Sequence, residues 1–168
     1  DDKFVEIVRR GFDAAEECPD ALVTFGVKPT EPHTGFGYVE RGEPRRPGVW
    51  AVRQFKEKPD LDTARRYVAS GEYYWNSGMF VWRTATILEQ LRQHLPETHA
   101  AARRMGEAWS DGSGALLARE IYPGLKKISI DFAVMEKAPQ VLVVEMALDW
   151  LDVGSWTSLP AVLGADRS

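Results

Sequence analysis

The sequence predicts an α/β domain, and three observations carry that expectation. Phe4, Ile7, Val8, Phe12 and Ala15 recur at helical spacing and give one apolar face. Leu22, Val23 and Phe25 then fall in a continuous apolar run of the kind a strand covered on both sides requires. A second such run, residues 140–146, closes a stretch in which strand and helix patterns alternate.

In chain order, Asp1 or Asp2 can cap the first helix. Gly11 lies inside it and costs about 1 kcal/mol against Ala, so the helix must lean on packing. Residues 18–20, Cys-Pro-Asp, end it, and residues 21–27 read as the buried strand. A loop follows in which Pro29 and Pro32 stiffen the backbone and Gly35 and Gly37 let it approach a neighbour closely. It lacks the third Gly and the following helix of a dinucleotide-binding turn. Either it feeds a hairpin, or its backbone groups touch a polar ligand.

Residues 38–41 and 49–55 read as antiparallel strands joined by an exposed tip at 42–48. Pro59 has no N–H for a ladder and pushes Lys58 towards extended backbone. Asp60 or Asp62 caps a short helix that Gly71 stops. Residues 73–82 form a strand region, with Asn76, Ser77 and Gly78 at a turn. Thr84 or Thr86 caps a helix bearing Ile87, Leu88, Leu91 and Leu95, which Pro96 breaks. A weaker helix spans 97–109, short helical pieces cover 115–121 and 131–137, and a last helix fades at Gly164.

The chain has 168 residues, 44% hydrophobic and 27% charged, enough for one core and too few to expect two. Its net charge of -4 argues against nucleic acid or an anionic membrane surface as partner. No apolar run approaches the ~20 residues of a membrane span. Cys18 stands alone, which excludes an intrachain disulfide and fits a reducing cytoplasm. The chain opens on Asp rather than Met, and we expect it to be part of a larger protein.

Several side chains could carry chemistry. Glu57 and Lys58 are adjacent, so on an extended strand they point to opposite sides and contact different parts of one ligand. Glu accepts hydroxyl hydrogen bonds and Lys neutralises phosphate; a solvated strand end is the alternative. Asn76 sits in an aromatic run, where it is either a buried amide satisfied by backbone or one that orients a ligand. Asp152, between two Trp and two residues before Gly154, can hold a divalent cation with substrate phosphates, or cap a helix. His33, His94 and His99 show no convincing metal-ligand spacing, and a surface role is expected for the last two. Serine-nucleophile, thiol–His and zinc signatures are missing.

Together, residues 23–39 (Val-Thr-Phe-Gly-Val-Lys-Pro-Thr-Glu-Pro-His-Thr-Gly-Phe-Gly-Tyr-Val), 55–59 (Phe-Lys-Glu-Lys-Pro), 74–80 (Tyr-Trp-Asn-Ser-Gly-Met-Phe), 130–137 (Ile-Asp-Phe-Ala-Val-Met-Glu-Lys) and 149–156 (Asp-Trp-Leu-Asp-Val-Gly-Ser-Trp) resemble mannose-1-phosphate guanylyltransferases. His33 and Phe36 stand where the family more often has Glu and Tyr. The resemblance implies a Rossmann-like nucleotidyltransferase layered fold, a mixed sheet flanked by helices, with the N-terminal strands missing. Residues 1–168 would be a single partial domain, the sugar-phosphate-binding part of the catalytic domain.

It further implies that GTP and mannose 1-phosphate are joined into GDP-mannose and pyrophosphate, with Mg²⁺ or another divalent cation as cofactor. Gly37 and Tyr38 would line the sugar pocket through backbone, Glu57 would bind sugar hydroxyls, Lys58 the sugar phosphate and Asn76 another hydroxyl. Asp152 would be one of two aspartates on the metal; the other, with the Gly-rich nucleotide loop, belongs upstream of Asp1. A homo-oligomeric intact protein is compatible with this. A related sugar-1-phosphate nucleotidyltransferase and an inactive nucleotide-sugar-binding paralogue are the alternatives. A sheet without its first strands would expose an open edge, so the piece alone is expected to be poorly soluble.

Overall fold

The computed structural model describes residues 2–152. Five strands and five α-helices run in the order α1 (Asp2–Glu17), β1 (Leu22–Val27), β2 (Tyr38–Arg46), β3 (Val49–Lys56), α2 (Leu61–Ser70), β4 (Tyr73–Val81), α3 (Thr84–His94), α4 (Pro96–Trp109), α5 (Gly114–Ile121) and β5 (Val141–Glu145). A π-helical turn, Asp131–Met135, precedes β5. This is a mixed sheet flanked by helices, as expected. The helix read after Asp152 lies outside the described residues.

β1 is buried along its whole length because it is covered twice. Its alternate residues Val23, Phe25 and Val27 face one core with Ile7, Ala14 and Ala15 of α1, Ala64 of α2, and Leu142 and Val144 of β5. Leu22, Val141 and Val143 face a second core under the π turn, with Val39, Phe55, Tyr74, Val134 and Met135. Period-two alternation between two apolar layers is what a continuous apolar run encodes.

β1 pairs parallel with β5 and antiparallel with β4, β4 pairs with β2, and β2 with β3. β3 then pairs antiparallel with β5 through Val49–Val144, Trp50–Val143 and Ala51–Leu142, which closes the ladder. The expected open edge is therefore absent among the described strands, each of which has a partner on both sides. Register shifts along β2 and β3 bend the hairpin so that its far end reaches β5. For the same reason β2 runs on to Arg46, through much of what reads as an exposed tip.

Asp60 caps α2, its carboxylate accepting from the Thr63 N–H at 2.8 Å, and Gly71 ends it in the left-handed conformation. Neither Thr84 nor Thr86 caps α3; Arg83 occupies that position without a side-chain bond, and the Thr86 hydroxyl donates to the Pro19 carbonyl. His94 and His99 are half-buried. Cys18 is half-buried against the first core.

Candidate functional site

Asn76 needs a reason to be buried, and the backbone supplies it. Thr24 pairs with Phe80 and Gly26 with Asn76, so two steps along β1 match four along β4. The extra residues form a bulge inside one nine-residue strand, with Gly78 at φ 75°, in place of the expected turn. Bulges re-aim side chains. Here the Asn76 amide is 8% exposed and fully engaged on its oxygen side. Its Oδ1 accepts from the Thr24 hydroxyl at 2.7 Å and from the Gly78 N–H at 3.3 Å. Its Nδ2 donates to Asp131 Oδ1 at 3.1 Å.

Gly37 lies against it. The Asn76 N–H donates to the Gly37 carbonyl at 2.8 Å. A Cβ added to Gly37 would collide with Glu57 Oε2 and stand 3.3 Å from Asn76 Cβ. The space a side chain would take is thus filled by the Glu57 carboxylate, which explains why glycine is needed there. Glu57 itself is 7% exposed. Burial pushes its carboxyl above the usual carboxylate range, the nearby Asp131 adds to this, and Lys58 pulls it back.

Lys58 departs from the expected geometry. It adopts φ 45°, a left-handed conformation that costs a non-glycine residue about 1–3 kcal/mol. The strand ends at Lys56, and two hydrogen bonds hold the turn beyond it. The Glu57 N–H donates to Glu136 Oε1 at 2.9 Å and the Lys58 N–H to the Phe36 carbonyl at 3.2 Å. These anchors overrule the preference of a residue before proline for extended backbone. They also turn both side chains the same way. Lys58 Nζ and Glu57 Oε1 form an ion pair at 3.3 Å, which corrects the reading of them as diverging.

Gly37, Glu57, Lys58 and Asn76 therefore converge from three separate stretches. Tyr38 does not contribute its side chain: it is fully buried, and its hydroxyl donates to the His33 carbonyl at 3.0 Å, fixing the loop. Burial raises its pKa. Asp152 is exposed and follows Trp150, whose ring packs 5.5 Å from Phe36. Phe36 in turn stacks on His33 at 4.1 Å and meets the Trp75 ring edge at 5.2 Å. That aromatic cluster ties the segment leading to Asp152 to the loop carrying Gly37.

Sequence reasoning assigned no role to Thr24, Asp131 or Glu136. Thr24 had a signal, the lone hydroxyl in an apolar strand, which a buried group must satisfy. Asp131 and Glu136 flank the buried residues Ala133, Val134 and Met135, and the π turn joins them through a Glu136 N–H to Asp131 carbonyl bond of 3.1 Å. π turns are rare and frequent at functional sites. No group of three or more metal-ligating side chains occurs among the described residues. None of the described helices is long and apolar enough to cross a membrane.

The arrangement is that of an α/β domain bearing acceptor and ammonium groups just past the end of β3, beside an amide donor at the β4 bulge. The chain belongs to the nucleotidyl transferase family: the family model described as Nucleotidyl transferase matches residues 1–167. Among its relatives is the xanthan biosynthesis protein XanB of Xanthomonas campestris pv. campestris (strain B100), 48% identical over 82% of this chain and 29% of that protein. Another is a mannose-1-phosphate guanylyltransferase of Escherichia coli (strain K12), 42% identical over 95% of this chain and 34% of that protein. A crystal structure described as a mannose-1-phosphate geranyltransferase from Thermus thermophilus superposes with a TM-score of 0.80 at 39% identity, covering 98% of this chain and 46% of that one. The chain spans about a third of the length of these curated relatives.

Proposed function

We propose that the protein transfers a guanylyl group from GTP to mannose 1-phosphate, releasing pyrophosphate and forming GDP-mannose, and that this chain carries its sugar-phosphate side. The observation that carries the reading is the meeting of Glu57, Lys58 and Asn76 around Gly37. The names of several relatives support the choice of substrates. Glu57 is an acceptor for sugar hydroxyls, and Asn76 offers an N–H to another. The Lys58 side chain is 56% exposed, so its ammonium is free to leave Glu57 for the sugar phosphate.

A sugar-phosphate oxygen attacks the α-phosphorus of GTP in line; the new O–P bond forms as the bond to the pyrophosphate oxygen breaks. Such a reaction depends on positioning and charge neutralisation more than on a covalent partner. Glu57 and Asn76 orient the hexose, and Lys58 offsets the charge of its phosphate. The exposed Asp152 carboxylate fits one ligand of Mg²⁺, an ion commonly held by one or two carboxylates plus substrate phosphates. When bound, the ion would neutralise charge on the phosphates. A cytoplasmic protein is consistent with the single cysteine.

Turnover of the full-length protein across mannose 1-phosphate and glucose 1-phosphate, each with GTP, ATP and UTP, tests the assignment. Mannose 1-phosphate with GTP is expected to give the highest kcat/KM, and a preference for another pair would replace it. Asp152→Ala should lose most of the rate while keeping part of the sugar binding; near-wild-type turnover would remove Asp152 from the metal site.

A further inference from the structure

We propose that Asp131 is the positioning residue of this site, fixing the Asn76 amide with its oxygen inward and an N–H to spare, so that Asn76 serves the substrate as a donor beside the acceptor Glu57. The inference rests on the sugar-phosphate reading above.

Three groups meet the Asn76 amide, and they do not weigh equally. The Thr24 hydroxyl is indifferent. It donates to Asn76 Oδ1 at 2.7 Å, yet it also lies 3.2 Å from the Met79 carbonyl. Were the amide flipped, Thr24 could donate to Met79 and accept from Nδ2. The Gly78 N–H favours the observed orientation, but at 3.3 Å it is a long bond. Asp131 is decisive because its carboxylate oxygen meets the amide as an acceptor. It takes one N–H of Nδ2 at 3.1 Å, and a flip would set two acceptors against each other. Among the described residues no acceptor takes the second N–H.

The same carboxylate bears on Glu57. Desolvation and then Asp131 raise the Glu57 carboxyl, with Glu136 adding and Lys58 opposing. Lys56, 3.5 Å from Glu136, faces the same cluster. The cluster thus pairs a fixed donor with an acceptor across Gly37. Two neighbouring hydroxyls of one sugar fit that pair when one accepts and the other donates.

Asp131→Leu removes the acceptor and frees the amide to flip. Asp131→Asn can present its own Oδ1 to Asn76 and keep the orientation without the charge. In the full-length protein, Asp131→Leu should raise the KM for mannose 1-phosphate about tenfold with a smaller change in kcat. Asp131→Asn should recover most of that loss. It should also shift the acid limb of the KM profile to lower pH, since Glu57 then ionises more readily.

Asn76→Ala alone and combined with Asp131→Leu completes the test. If Asp131 acts through Asn76, adding Asp131→Leu to Asn76→Ala changes KM little. Multiplying effects, or Asp131→Asn behaving like Asp131→Leu, would overturn the positioning role while leaving the sugar site intact. An unchanged KM in Asn76→Ala would instead overturn the sugar-site reading, and this inference with it. A thermal melt of each variant separates misfolding from these outcomes, and Asp131→Asn keeps the test decisive if Asp131→Leu fails to fold.

Discussion

Gly37→Ala puts the site to a demanding trial because its backbone tolerates the change and its surroundings do not. Gly37 has no positive φ, so alanine suits its conformation, and the swap alone would stabilise the fold by about 0.4–1 kcal/mol through the unfolded chain. The new Cβ, however, would lie inside contact distance of Glu57 Oε2. Restoring ordinary van der Waals contact requires the carboxylate to retreat by roughly 1 Å, and misplacement on that scale can cost about 100-fold in rate. Loss of a hydrogen bond to a charged group, about 1.5–3 kcal/mol, gives a similar range. We expect kcat/KM for mannose 1-phosphate to fall about 10- to 100-fold, with a melting temperature close to that of the parent. Steady-state kinetics with saturating GTP reads the first and calorimetry the second. In a Glu57→Ala background the same substitution should have little further effect, since the collision is gone. Wild-type kcat/KM in the Gly37→Ala protein would refute the role of the Glu57 carboxylate.

Other outcomes follow from the same geometry. The Glu57 carboxyl is raised in the fold, so its contribution to stability is full below the ordinary glutamate range and is lost as pH rises through the raised value. Glu57→Gln should therefore melt higher than wild type at pH 7, with the gap closing near pH 4; equal melting at both pH values would refute the buried charge. Lys58→Ala should raise the KM for mannose 1-phosphate, and an unchanged value would remove its phosphate role. Gly11→Ala should lower the melting temperature despite the better helix propensity of alanine. A Cβ there would stand 2.9 Å from Phe25 Cε1, on a ring only 2% exposed. Overpacking of about 1–3 kcal/mol against a propensity gain of about 1 leaves a net loss near 1 kcal/mol, or ~2–4 °C. A higher melting temperature would contradict the contact.

Gly11 also shows where sequence reasoning stops. Propensity marks it as a cost to α1; only the packed structure shows that Phe25 occupies the space a side chain would need. The doubly covered strands were legible because a continuous apolar run bounded by turn residues suits a strand buried on both faces and little else. So was α2, bounded by Asp60 and Gly71, whose caps act locally. The left-handed Lys58 was not, because its conformation is imposed by Phe36 and Glu136, distant in sequence. Nor was the closure of the strands, which depends on small register shifts that bend β2 and β3. Glu57 and Asn76 could be singled out as polar groups among apolar neighbours. Asp131 could not be given its role, since its contact with Asn76 spans 55 positions.

The most direct measurement is a crystal structure of the full-length protein with mannose 1-phosphate bound. Hexose hydroxyls within hydrogen-bond reach of both Glu57 and Asn76 Nδ2, with the phosphate on the Lys58 ammonium, are the predicted result. A hexose seated elsewhere, with Lys58 still paired to Glu57 and the Asn76 amide untouched, would contradict it.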